Sequence, residues 1–175
     1  MCYENQDDEV NMKKYYLLAI NKGSRAALTN LSNYYNRCKD YVSMLKCLET
    51  AIELGSVVAM HNIRIYYEKN KDYANMIKYC LLTLEKTDDE VNNDLYISAV
   101  QCLGEHYNSI GDSESVIKYL LLGVAKGDPR SMFNLGREYH TKNNTELMVK
   151  YYLMAIEHNV PHAMYCLGMY FEVQK

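Results

Sequence analysis

Asp40-Tyr41-Val42-Ser43-Met44-Leu45-Lys46-Cys47-Leu48-Glu49-Thr50-Ala51-Ile52-Glu53-Leu54-Gly55 occurs, in altered form, five times along the chain. Its centre, Met44-Leu45-Lys46-Cys47-Leu48, is matched upstream by Met12-Lys13-Lys14-Tyr15-Tyr16. Downstream it is matched by Met76-Ile77-Lys78-Tyr79-Cys80, Val116-Ile117-Lys118-Tyr119-Leu120 and Met148-Val149-Lys150-Tyr151-Tyr152. The five lysines, Lys14, Lys46, Lys78, Lys118 and Lys150, are 32, 32, 40 and 32 residues apart. One register therefore runs through the whole chain, with eight extra residues in the third interval. A period of this length marks an array of supersecondary units that bury their apolar faces only by stacking on one another.

Working outward from each lysine, the flanking columns read as one helix. Six residues before it stand Asp8, Asp40, Asp72, Asp112 and Asn144. These are good N-caps, because a side-chain oxygen accepts from an orphan N–H of the first turn. Six residues after it stand Ile20, Ile52, Leu84, Val124 and Ile156, and nine after it Gly23, Gly55, Thr87, Gly127 and Asn159. Gly and Asn tolerate the left-handed conformation that closes a helix. A second helix follows each turn. Its columns are Ala27, Ala59, Ala99, Ser131 and Ala163, then Leu31, Ile63, Leu103, Leu135 and Leu167. Next come Ser32, Arg64, Gly104, Gly136 and Gly168, then Tyr35, Tyr67, Tyr107, Tyr139 and Phe171. Offsets of 0, +4, +5 and +8 place these on one helical face.

The expectation is an all-α protein, an α-solenoid of about ten antiparallel helices. A disordered segment over 1–7 precedes a single helical-repeat domain over 8–175, with units 8–39, 40–71, 72–111, 112–143 and 144–175. The eight extra residues fall near Asp88-Asp89-Glu90-Val91-Asn92-Asn93-Asp94-Leu95 and read as a surface loop.

Ala51-Ile52-Glu53-Leu54-Gly55, Ala59 and Ile63 resemble the Sel1-like repeat pattern A-x-E-x-G-x-x-x-A-x-x-x-L-G-x-x-Y. Ala155-Ile156-Glu157 with Ala163, Leu167 and Gly168 is a second match, and Gly127, Leu135, Gly136 and Tyr139 a partial third. The other turn is similar to a tetratricopeptide repeat, with the short spacing from Tyr35 to Asp40 and from Tyr67 to Asp72. The unit of 32 is short for either family. The resemblance implies a right-handed superhelix used as an interaction scaffold. It also implies that the helices with the L-G-x-x-Y pattern are inner, over 25–37, 57–70, 96–109, 129–142 and 161–173. The Asp-capped helices are then outer, over 8–22, 40–54, 72–86, 112–126 and 144–158. The Tyr-, Asn- and Lys-rich composition, with 18 Tyr and no Trp, fits an AT-rich genome and resembles repeat proteins of large DNA viruses of protists.

A protein or peptide partner in the concave groove is the expected ligand. Positions between the core columns supply the candidate contacts: Asn33, Asn36, Arg37, His61, Glu68, Gln101, Glu105, Phe133, Arg137, His140 and Tyr165. Phe133, Arg137 and His140, spaced i, i+4, i+7, form the candidate anchor, because aromatics and Arg dominate binding hot spots. Self-assembly is the alternative: Tyr165, Met169 and Phe171 leave an apolar end that a homodimer through the C-terminal helix would cover.

Other chemistry finds no support. The net charge is −3, which argues against a nucleic-acid backbone binder. The lysine column reads as long stems lying over apolar surface with the amines in water. No apolar run reaches the ~18–20 residues that span a bilayer. The polar, acidic start argues against secretion, so Cys2, Cys38, Cys47, Cys80, Cys102 and Cys166 are expected as reduced thiols in a cytoplasmic setting, host cytoplasm or virion if the source is viral. No C-x-x-C pair occurs, and Val160-Pro161 interrupts the i, i+4 pair His158 and His162, so no metal or cofactor is expected. No catalytic motif can be placed, and the chain is expected not to be an enzyme.

Overall fold

The computed structural model describes residues 6–87 and 92–173. Among them lie ten helices: α1 (Gln6–Asn21), α2 (Arg25–Arg37), α3 (Tyr41–Glu53), α4 (Val57–Lys69), α5 (Tyr73–Lys86), α6 (Asn93–Ser109), α7 (Ser113–Ala125), α8 (Pro129–Thr141), α9 (Thr145–Glu157) and α10 (Pro161–Val173). The chain divides into two compact units, Met1–Thr87 and Asp88–Lys175. The first holds α1 to α5 and the second α6 to α10.

The helices start where the caps put them. Asp40, Asp72, Asp112 and Asn144 accept from the backbone N–H of Ser43, Asn75, Ser115 and Leu147, each at 3.1 Å. Hydrogen bonds from the side chains of Ser43, Asn75 and Ser115 hold the carboxyls of Asp40, Asp72 and Asp112 below the ordinary aspartate range. α2, α4 and α8 have caps of their own: Ser24, Ser56 and Asp128 accept from the N–H of Ala27, Ala59 and Ser131. Gly23, Gly55, Gly127 and Asn159 close the outer helices at positive φ, and Lys39, Lys71, Gly111 and Asn143 close the inner ones in the same way.

Three boundaries differ from expectation. Gln6 and Asp7 belong to α1, so the segment read as disordered is helical there, while 1–5 lie outside the described residues. Asp8 consequently lies inside α1 and does not cap it. In the third interval Thr87 is not left-handed; it sits at φ −111°, buried, with its hydroxyl donating to the Thr83 carbonyl at 2.5 Å. Of the eight extra residues, Asn93, Asp94 and Leu95 extend α6 at its N-terminus, and 88–91 lie outside the described residues. Polar residues at a helix start cost little, and Asp94 favours the positive end of the helix dipole.

Within each unit the closest pairings are hairpins across the Asp/Asn-capped turns: α2 on α3 and α4 on α5, then α6 on α7 and α8 on α9. The alanine and leucine columns are buried throughout, with Ala59, Ile63, Leu103, Leu135 and Ala163 at 0% exposure. The +8 tyrosines stack on the tyrosine that follows each column lysine: Tyr67 on Tyr79, Tyr107 on Tyr119 and Tyr139 on Tyr151, at 5.4–5.7 Å. Lys78, Lys118 and Lys150 are exposed and hold their amines over those same rings at 5.2–5.3 Å. The lysine column thus finishes a stack of rings, a cation–π contact on top of an aromatic pair. In the α3 column Cys47 stands in the place of the second ring, and it and Tyr35 both pack against the same buried cluster.

Candidate functional site

One recess design recurs in both units. In the first unit a cavity of about 320 Å³ lies between α2 and α4, with α3 as its floor. In the second a cavity of about 300 Å³ lies between α6 and α8, floored by α7. The linings match by column: Ser32 with Gly104, Asn33 with Glu105, Asn36 with Asn108, Asn62 with Asn134, Ile65 with Arg137 and Lys69 with Thr141. The floor is Met44 and Leu48 in one and Val116 and Leu120 in the other. Within each unit the second helix of the repeat recurs after 32 residues and rests on the capped helix between, so a recess of this kind is a consequence of the period.

Their chemistry differs. The first recess is rich in amides, with Asn33, Asn36, Asn62 and Asn70, and Lys69 is its one ionised lining group among the described residues. Tyr41 and Tyr66 pack ring to ring at 5.5 Å along its wall. The second recess is ionic. Arg130 pairs with Glu105 at 2.9 Å and donates to Gln101 at 3.3 Å, and Gln101 in turn donates to Asp128 at 3.4 Å. Ser113 donates to Glu138 across the recess wall. Arg137 is exposed, and among the described residues no carboxylate lies within ion-pair distance of it.

The expected groove residues are divided among several surroundings. Asn33 and Asn36 line the first recess, and Gln101, Glu105 and Arg137 the second. Arg37 is exposed on the last turn of α2 and lines neither. His61 and Glu68 flank Arg64, which is 5% exposed: its guanidinium donates to Glu68 at 2.8 Å and lies 3.5 Å from His61 Nδ1. Burial, with Arg64 adding to it, pushes the His61 imidazole below its ordinary range. Phe133 is half-buried, tilted against Tyr152 at 5.9 Å and edge-on to His162 at 6.2 Å, within the core of α8–α10. His140 and Tyr165 line a third cavity of about 500 Å³ with Met148, Cys166, Met169 and Val173. Phe133, Arg137 and His140, spaced as one anchor, therefore stand in three different surroundings. The reason is axial: i and i+7 share one side of α8 but lie two turns, about 10 Å, apart, so each meets a different neighbour.

Arg130, Asn134, Tyr41, Tyr66 and Asn70 line the recesses and were not singled out from sequence. The signal was available, since Asn134 shares a column with Asn62. His158 ends α9 and His162 lies in the first turn of α10, so they stand on separate helices. Among the described residues no group of three or more His, Cys, Asp or Glu is gathered to hold a metal ion. No described helix is long and apolar enough to cross a membrane.

No protein-family model matches the chain, and no curated protein does. Among solved structures it is similar to a Sel1 repeat protein from Oxalobacter formigenes, with a TM-score of 0.60, 21% identity, and coverage of 89% of this chain and 67% of that one. It is also similar to MamA, with a TM-score of 0.59, 18% identity, and coverage of 87% of each chain. The chain thus has an all-α repeat fold of the Sel1-like and tetratricopeptide-like solenoid class.

Proposed function

We propose that the protein is a non-enzymatic interaction scaffold that binds an extended or helical segment of a protein partner in the recesses between successive inner helices. The observation that carries this reading is the recurrence of one recess in both units, with matched columns and different linings. A constant backbone with variable side chains is what recognition of different partner segments requires. The amide-rich recess suits the backbone N–H and C=O groups of a peptide. In the ionic recess Arg137 is the group best placed to take a partner's carboxylate, because Arg130 is already held by Glu105. The fold class is one used for protein interaction, and the thiols of Cys47, Cys80, Cys102 and Cys166, buried or half-buried in helices, suit a reducing, cytoplasm-like setting. A viral source rests on composition alone.

Selection of a displayed random-peptide library on the 175-residue chain tests the reading. Enrichment of a peptide consensus whose binding weakens about tenfold or more in Asn36→Ala or Arg137→Ala, and is retained in Lys150→Ala, is the expected result. Absence of any enriched sequence, or binding indifferent to both recess variants, overturns it.

A further inference from the structure

α1 and α10 each carry a face that the corresponding helices elsewhere in the chain have covered. In α3, α5, α7 and α9 the side chains four and eight residues after the cap are buried: Met44 and Leu48, Met76 and Cys80, Val116 and Leu120, Met148 and Tyr152. On α1 the same columns, Met12 and Tyr16, are only half-buried. Tyr15, whose counterparts Tyr79, Tyr119 and Tyr151 are buried and stacked, is 66% exposed. The other end shows the complement. Tyr165 is 67% exposed and Phe171 53%, whereas their α8 counterparts Phe133 and Tyr139 are half-buried against α9. A Cβ placed on Gly136 would stand 2.5 Å from the Tyr152 ring, but a Cβ on Gly168 would meet nothing within 4 Å among the described residues.

The side chains on these two faces match one particular interior pair. α10 repeats α8, with Pro161, Leu167 and Gly168 in the places of Pro129, Leu135 and Gly136, and with aromatic Tyr165 and Phe171 for Phe133 and Tyr139. α1 repeats α9: Met12, Lys14, Tyr15, Tyr16, Ala19 and Ile20 are identical to Met148, Lys150, Tyr151, Tyr152, Ala155 and Ile156. Size makes the match selective. Only α1 and α9 carry tyrosine eight residues after the cap position; α3, α5 and α7 carry Leu48, Cys80 and Leu120. A tyrosine there fits only against glycine, as Tyr152 fits against Gly136, and α10 presents Gly168.

We propose that α1 of a second copy of this chain seats on α10, reproducing the α8–α9 pair between molecules. Tyr16 of one copy lies on Gly168 of the other, beside Tyr165, and Tyr15 stacks on Phe171. The contact is head-to-tail, so each molecule uses α10 toward one neighbour and α1 toward the other, and assembly runs on into a ring or a filament. It names the occupant of the apolar end from which self-assembly was expected. It is independent of the recess reading, and Asn36→Ala and Arg137→Ala leave it unchanged.

Sedimentation velocity on the 175-residue chain over a concentration series tests it, with two variants that each block one face. Gly168→Leu adds a side chain where the single molecule has open space, so its helicity and melting temperature are maintained or rise. Tyr15→Asp places a charge at an exposed site. The chain is expected to associate with rising concentration, and each variant alone is expected to lose about tenfold or more in association constant. A mixture of the two variants should form a one-to-one complex and nothing larger, because one open α10 face and one open α1 face remain. A chain that stays monomeric overturns the proposal. So does a Tyr15→Asp variant that still dimerises by itself, which would mean symmetric pairing of α10 with α10, and so does a mixture that forms no complex.

Discussion

The recess of the first unit and that of the second are built on the same columns, yet one is lined by amides and the other by an ionic network. The difference shows that the positions setting the backbone and the positions setting the chemistry are separate. Caps, the alanine column and the leucine column hold both recesses alike. The small column is where the units part: Ser32 and Arg64 in the first, Gly104 and Gly136 in the second. Gly136 takes a tyrosine ring, whereas Arg64 fills its own site and is neutralised by Glu68. Close approach in one unit and a paired charge in the other lead to the same helix arrangement.

The largest expected effect tests the second unit against itself. Gly136→Ala pushes a methyl into the Tyr152 ring and is expected to cost about 1–3 kcal/mol, the usual range for overpacking. Gly104→Ala, in the same column, meets Leu120 at an ordinary 3.8 Å. It should be neutral or add up to about 1 kcal/mol from helix propensity. Equal melting temperatures for the two variants would break the claim that the neighbouring side chain's size decides this column.

Next in size is Glu68→Gln, which removes the carboxylate that faces buried Arg64. Glu68 is 43% exposed, so the loss is screened to about 1–2 kcal/mol, below the range for charged hydrogen bonds in full burial. Denaturant titration would read it, and no corresponding pair exists in the small column of the second unit.

The tyrosine stacks allow an exchange between units. Tyr119→Cys gives the second unit the arrangement at Cys47 and should cost about 0.5–1.5 kcal/mol beyond lost area. Cys47→Tyr, which restores the ring that this column carries in α5, α7 and α9, should recover a similar amount in the first unit. A melting temperature unchanged by both would show that the stacks are incidental to stability.

The smallest effect is in pH. The folded state holds the His61 imidazole below its ordinary value of 6.5, so protonation favours the unfolded chain. Stability from this site is present above pH 6.5 and declines as pH falls from there through the lower folded value. The same column in the second unit holds Gln101, Phe133 and Tyr165 and no histidine. His61→Gln should therefore flatten the fall of the urea midpoint between neutral and mildly acid pH; an unaltered slope would remove His61 as its source. At still lower pH the caps separate the units again. Acid protonates Asp40 and Asp72 in the first unit but only Asp112 among the outer-helix caps of the second, because Asn144 does not titrate.

The sequence carried the period, the caps and the core columns, because each is a local or periodic demand that a single residue type meets. Asp before a first turn, Gly or Asn after a last turn, and Ala and Leu four residues apart give the same instruction at every repeat. Packing decided what a column means when its residue type changes. Arg64 reads as a misfit among small residues until Glu68 and His61 are seen around it, and only packing shows that one side of Phe133 rests on Tyr152 and His162. Thr87 breaks the glycine column because a buried hydroxyl bond to Thr83 replaces the left-handed turn. The exposure of Tyr15 and Phe171 likewise came from packing, since a column shows which face is apolar and only the neighbouring helix shows whether that face is covered.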